Sequence, residues 1–148
     1  MQSALDAAGI EARIVELSAS ARTAAEAAAA VGCSVAQIAK SLVFRGAESG
    51  DAILVIASGT NRVNEKKIAE HAGEAIAKAD ADFVRERTGY AIGGIPPAGH
   101  ASPLRTFIDR DLLQYERIWA AAGTPHAVME LTPAQLTNLV PAPVVEIQ

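Results

Sequence analysis

Two apolar runs, Ile38-Ala39-Lys40-Ser41-Leu42-Val43-Phe44-Arg45 and Ala52-Ile53-Leu54-Val55-Ile56-Ala57, flank the polar segment Gly46-Ala47-Glu48-Ser49-Gly50-Asp51. Runs this length, rich in branched side chains and bounded by glycine, predict two strands joined as a hairpin. The turn falls on residues 46–50. Upstream, residues 12–17 alternate enough for a strand, and Ser3 opens a short helix that ends at Gly9. Thr23 with Glu26 forms a capping box for a helix through Ala30, and Gly32 is its C′ residue. Ser34 with Gln37 repeats the signature for a single turn.

Downstream, Asn64 caps a helix over residues 65–71, with Gly73 beyond it. Residues 75–79 form a short strand. Asp80 opens a helix through Glu86 that Gly89 closes. Four strands follow, over residues 104–109, 117–121, 127–131 and 144–147. Thr132-Pro133 is an N-cap and N1 pair for a helix to Leu139; Pro141 and Pro143 end it. Helices and strands interleave early, and strands dominate late. The expected fold is mixed α/β (α+β-like): one domain over residues 1–148, a curved mixed sheet with helices packed outside it. A doubly wound nucleotide-binding fold is disfavoured, because neither G-x-G-x-x-G after a first strand nor G-x-x-x-x-G-K-[ST] occurs.

Length and composition bound the function. The 148 residues suit one domain with a sizeable core. Half are hydrophobic but only 4% are aromatic, so alanine and the aliphatic residues build that core. No apolar run approaches the roughly 18 residues of a membrane span, and no basic segment leads into an apolar stretch as in a signal peptide. A single cysteine, Cys33, excludes an internal disulfide and a multi-cysteine zinc site, which fits a cytoplasmic protein. The net charge of −4 argues against a general nucleic-acid coat and against DNA as a partner. Local basic groups remain: Arg62, Lys66 and Lys67, then Arg85 and Arg87. Solvated helix faces explain them as well as a binding patch does.

Chemistry concentrates in two places. The segment Tyr90-Ala91-Ile92-Gly93-Gly94-Ile95-Pro96-Pro97-Ala98-Gly99-His100 combines three glycines with two adjacent prolines. Proline fixes φ and lacks an N–H, while glycine lets other atoms approach the main chain. The result is a stiff loop whose backbone donors suit a carbonyl or phosphate oxygen; a plain turn has the same composition. The second place is Lys40, whose face-mates at spacing two are Ile38, Leu42 and Phe44. A lysine on an apolar face must reach solvent or a partner. It either snorkels at a sheet edge, clamps a phosphate, or acts as a base with a lowered pKa.

Other candidates have ordinary explanations. His71 ends a helix, where the dipole favours it. His100 and His126 are too far apart in sequence to make a metal motif. No serine sits in G-x-S-x-G. Cys33 follows a helix cap and reads as packing. Asp109 and Asp111 read as an N-cap plus a surface acid.

Taken in order, Lys40-Ser41-Leu42-Val43-Phe44, residues 61–67, Gly93-Gly94-Ile95-Pro96-Pro97, Asp109 and Gly123-Thr124-Pro125-His126 resemble the YbaK and prolyl-tRNA synthetase editing-domain family. The resemblance runs from about Thr23 to Glu146. It implies a single-domain mixed-sheet fold and hydrolysis of mischarged aminoacyl-tRNA, most often tRNA-Pro carrying alanine, cysteine or another small amino acid. It implies action in trans, with prolyl-tRNA synthetase as a further partner, and no cofactor or metal. By the same resemblance Lys40 holds the phosphate or ribose of the terminal adenosine, and the backbone of the loop Gly93, Gly94, Ile95, Pro96 and Pro97 orients the ester carbonyl. His126 lines the amino-acid pocket, and Asn61 and Asn64 lie in a matching segment. The cysteine-specific branch carries Ser-Pro in the loop and Lys-Thr at the lysine. Pro96-Pro97 and Lys40-Ser41 stand here instead and favour alanine or a similarly small residue. Two other classes fit the residues less fully: a non-catalytic module that binds tRNA ends or a synthetase, and an amine-chemistry enzyme using Lys40 as a Schiff base.

Overall fold

A computed structural model describes residues 2–148, with side chains from Ala4 onward. Five helices are described: α1 (Gln2–Ala7), α2 (Ala24–Val31), α3 (Glu65–Ala72), α4 (Ala81–Thr88) and α5 (Pro133–Leu139). The strands are β1 (Arg13–Glu16), β2 (Ile38–Gly46), β3 (Ala52–Ser58), β4 (Ile76–Lys78), β5 (Arg105–Asp109), β6 (Ile118–Ala121), β7 (Ala127–Leu131) and β8 (Val144–Val145). Single 3-10 turns occupy Val35–Gln37 and Arg110–Gln114.

The local signals act as expected. Thr23 accepts from Glu26 N, Asn64 from Lys66 N and Lys67 N, and Asp80 from Phe83 N. Each satisfies orphan donors of a helix start. Helices α2, α3 and α4 end on Gly32, Gly73 and Gly89, all left-handed, where a Cβ would be strained. Thr132, Pro133 and Gln135 give α5 a full capping box with proline at its start. The helix expected from Ser3 begins one residue earlier, so Ser3 lies inside α1; its side chain lies outside the described residues. The last strand is shorter than expected, because only Val144 and Val145 find partners, on Ile108 and Asp109 of β5.

The sheet is single and mixed, in the order β1-β7-β6-β2-β3-β5-β8, with β4 on β2. Its frame is the β2–β3 hairpin, antiparallel from Ala39↔Ser58 to Arg45↔Ala52. Every residue of β3 is buried, which explains why its sequence runs continuously apolar. One face carries Leu54, Ile56, Ile108 and Met129 against Leu5, Leu112 and Leu136. The other carries Ile53, Val55 and Phe107 against Ile68 of α3. A third cluster packs Ala27 and Ala28 of α2 onto Ile38, Trp119 and Val128. Among the described residues, no helix is long and apolar enough to cross a membrane.

One carboxylate secures the hairpin turn. Glu74 Oε1 accepts from the N–H groups of Glu48 and Ser49, both at 2.9 Å, and Oε2 accepts from Arg105 Nη1 at 3.0 Å. These bonds, those from Ser49 first, pull its pKa from 4.5 down to about 2. A depressed carboxylate stabilises the fold above its unfolded pKa and loses that contribution as pH falls through the folded one. Glu74→Gln is therefore expected to lower stability at pH 7 and to flatten the fall in stability between pH 4.5 and about 2. Denaturant unfolding across that range decides it; an unchanged acid slope would show that Glu74 does not couple to folding.

Candidate functional site

Strand β2 has different neighbours along its outer edge. Strand β6 pairs in parallel with Ile38 and Ala39 only, and β4 pairs with Phe44, Arg45 and Gly46. Between them, residues 40–43 have a strand on one side alone. The sheet splits there. A cavity of about 250 Å³ opens in the split, walled by α2, β2, β6 and the loop residues Ile92, Gly93 and Ile95. Its lining is mostly apolar, including Ala24, Ala27, Val31, Leu42, Trp119 and Val128, with Arg22, Thr23, Lys40 and Ser41 as polar members.

Lys40 is half-buried, and its Nζ donates to the carbonyl of Gly59 at 3.3 Å. Burial, then the Arg62 cation, lowers its pKa, and the Asp109 carboxylate opposes both. Among the described residues Lys40 makes no ion pair. A cation so placed at a cavity wall is available to an anionic ligand. Ser41 Oγ is buried without a hydrogen-bond partner, an unusual state for a hydroxyl.

The glycine/proline loop contributes one turn to the cavity. Gly94 N–H donates to Ala91 O at 3.0 Å, and Gly93 sits between them at φ 94°. Positive φ at the third residue is the type II signature and explains the glycine. The amide of Gly94 is thus committed inside the turn. The N–H groups of Gly93 and Ile95 have no acceptor among the described residues, and both residues line the cavity. Gly94 serves differently. A Cβ there would lie 2.9 Å from Thr124 Cα and C, so the segment before β7 packs directly on its main chain.

Several expected residues lie elsewhere. Pro96 and Pro97 are buried but do not line this cavity. Pro97 borders a wider groove of about 550 Å³ on the loop's other side. The carbonyl of Pro96 accepts from His100 Nε2 at 2.8 Å. Burial lowers the His100 pKa, and the Pro96 bond opposes this. The neutral ring with its proton on Nε2 therefore braces the loop. His126 is exposed in the β6–β7 turn, and the cavity wall ends at Val128, two residues further on. Asn64 spends its Oδ1 on the α3 cap. Asn61 Nδ2 donates to Asp109 Oδ2 at 2.9 Å and Asp111 Oδ2 at 2.7 Å. The structure therefore brings Lys40, Gly93 and Ile95 together, with Gly94 behind them.

Sequence reasoning passed over Arg22, Ile92 and Trp119, which all line the cavity. The lone tryptophan carried a faint signal, since so large a ring on a strand must cover something. Ile92 stands in the quoted loop but was not singled out there, and Arg22 had no signal, because its role depends on two distant segments meeting. Gly94→Ala and Gly94→Val should each destabilise the protein, by about 1–3 kcal/mol for the smaller change and more for valine. Melting curves test this, and an unaltered Tm for both would mean that the 124–125 backbone yields freely.

Comparison with known proteins bears on this geometry. Residues 18–139 match the family model described as the aminoacyl-tRNA editing domain. The uncharacterized protein YwhH of Bacillus subtilis (strain 168) is 34% identical over 125 residues, 84% of this chain and 79% of that protein. A solved structure of a candidate trans-editing enzyme for prolyl tRNA synthetase is 48% identical, with TM-score 0.92, over 99% of this chain and 93% of that one. The structure of hypothetical protein APE2540 is 31% identical, with TM-score 0.92, over 99% and 97%.

Proposed function

This chain belongs to the aminoacyl-tRNA editing domain family, and we propose that it is a trans-acting deacylase for mischarged tRNA, acting on tRNA-Pro that carries alanine or another small amino acid. The observation that carries the reading is the cavity in the split of the sheet. It combines a half-buried cation, free backbone donors and small apolar walls. At about 250 Å³ it lies below the range of roughly 300–1,000 Å³ that suits drug-sized ligands. A small amino acid joined to the end of a nucleotide fits such a space, with the nucleotide extending out of the mouth.

An aminoacyl ester is already activated. Its hydrolysis needs a placed water, a stabilised oxyanion and a proton acceptor. In this proposal the N–H groups of Gly93 and Ile95 receive the carbonyl oxygen as its charge grows. The Lys40 ammonium holds the phosphate of the terminal adenosine. Water attacks the carbonyl carbon, the bond to the ribose oxygen breaks, and that oxygen leaves as a hydroxyl with the proton the water gives up, relayed by the neighbouring ribose hydroxyl, so no side-chain nucleophile is required. Trp119 and α2 limit the amino acid by shape. Contact alone discriminates one methylene by only about 1–3 kcal/mol, so sparing of correctly charged prolyl-tRNA rests on steric clash.

The test is hydrolysis of alanyl-, cysteinyl- and seryl-tRNA-Pro, with prolyl-tRNA as control. Rapid loss of alanyl-tRNA-Pro with prolyl-tRNA spared is the expected result. Lys40→Ala should remove about 1.5–3 kcal/mol of stabilisation, the worth of a hydrogen bond to a charged group, and slow deacylation roughly ten- to hundredfold without unfolding the protein. Wild-type rates in that variant would take Lys40 out of the mechanism. Protection of every ester at high protein concentration would mark a binding module instead.

A further inference from the structure

Asp109 is the one charged residue among the buried described residues, at 1% exposure. It sits at the end of β5, and the described residues give it no cationic partner. Instead its Oδ2 accepts from Ser58 N and Asn61 Nδ2, and its Oδ1 from Asp111 N, each at 2.9 Å. Two of those donors, Ser58 and Asn61, bracket the turn that follows β3. The turn closes on itself through Asn61 N to Ser58 O at 2.9 Å. Ser58 Oγ ties it to Ala36 O at 2.7 Å. Gly59, inside it, has no room for a side chain, since a Cβ would lie 2.2 Å from Val35 O. The carbonyl of Gly59 is the group that meets Lys40 Nζ.

We infer that Asp109 and Asn61 are a positioning pair that acts through Lys40. They hold residues 58–61 so that the Gly59 carbonyl fixes the ammonium at the cavity wall. Asp109 accepts on both oxygens, which a neutral amide could do on one only. A buried carboxylate is costly unless it is paired and hydrogen-bonded, and Asp109 has hydrogen bonds but no ion pair within the described residues. Here the charge opposes burial and Arg62, which both disfavour the Lys40 ammonium. The other charged groups nearby are Asp111, bonded to Asn61, and Arg22, which shares the cavity with Lys40. The consequence for turnover rests on the deacylase reading; the coupling of Asp109 to Lys40 does not.

The experiment follows the Lys40 side-chain resonances of the full-length labelled protein through a pH titration, assigned with Lys40→Ala, in wild type, Asp109→Asn and Asn61→Ala. Asp109→Asn should move the Lys40 midpoint to lower pH. Asn61→Ala, which keeps the carboxylate, should shift the Lys40 resonances. Deacylation should fall roughly ten- to hundredfold in each, the scale of a misplaced group, and the alkaline limb of Asp109→Asn should move down in pH. In a Lys40→Ala background both losses should vanish. Unchanged Lys40 titration in a folded Asp109→Asn, or losses that multiply with Lys40→Ala, would overturn the inference. Should Asp109→Asn fail to fold, Asn61→Ala decides alone, and wild-type Lys40 resonances there overturn it. If no ester is hydrolysed by wild type, the titration still gives the answer.

Discussion

The structure depends on a break in hydrogen bonding along one edge of β2. A strand in the middle of a sheet normally has partners on both sides, because unpaired backbone groups are costly when buried. Strand β2 meets β3 along seven residues but meets β6 for two, then β4 for three. The gap at residues 40–43 leaves main-chain groups without a strand partner and separates β6 from β2. Helix α2 and the loop residues Ile92, Gly93 and Ile95 cover the opening without filling it. Lys40 and Ser41 lie at that gap, so two of the cavity's polar residues come from the segment that lost its neighbour.

Electrostatics then set what the opening can receive. The chain carries net charge −4, yet Lys40, Arg22 and Arg62 make no ion pair among the described residues. Exposed cations that need no partner are common on surfaces. Lys40 differs, because it is half-buried and a cation is its neighbour. Long-range attraction to a polyanion is weak for an acidic protein, so under the proposed function tRNA would be recognised locally, at the mouth of the cavity. That suits a protein that reads an aminoacyl end and not a duplex.

Elements were legible where a side chain decides its own neighbourhood. Thr23, Asn64, Asp80 and Thr132 each cap a helix that begins where the sequence said it would. Lys40 was legible because a charge interrupts an apolar face. The strand order was not, since β6 reaches β2 across a long sequence separation, Ile38 to Trp119, and only the assembled sheet shows where it stops. The resemblance placed Asn61, Asn64, Pro96, Pro97 and His126 near substrate. In the structure Asn61 Nδ2 bonds Asp109 and Asp111, Asn64 Oδ1 caps α3, and Pro96 and Pro97 lie outside the cavity lining. An asparagine that caps and one that binds look the same in sequence, because both roles use the same amide. Asp109 shows this from the other side. Its cap on Asp111 was readable at spacing two, but its burial and its reach to Ser58 and Asn61 were not.

Composition explains why the cavity exists at all. Alanine-rich α2 reads as a helix with little to distinguish it. Two of its alanines, Ala24 and Ala27, line the cavity and bring only methyl groups to it. Leucine there would add three carbons per position and fill a space that close packing otherwise abhors. The fold tolerates that void because its main clusters lie elsewhere, on the two faces of β3. Stability thus comes from aliphatic residues of the central hairpin, and the site from the small residues at its margin. The loop needs glycine at 93 and 94 for separate reasons: one makes the turn, and the other lets the 124–125 backbone pack against the loop's main chain.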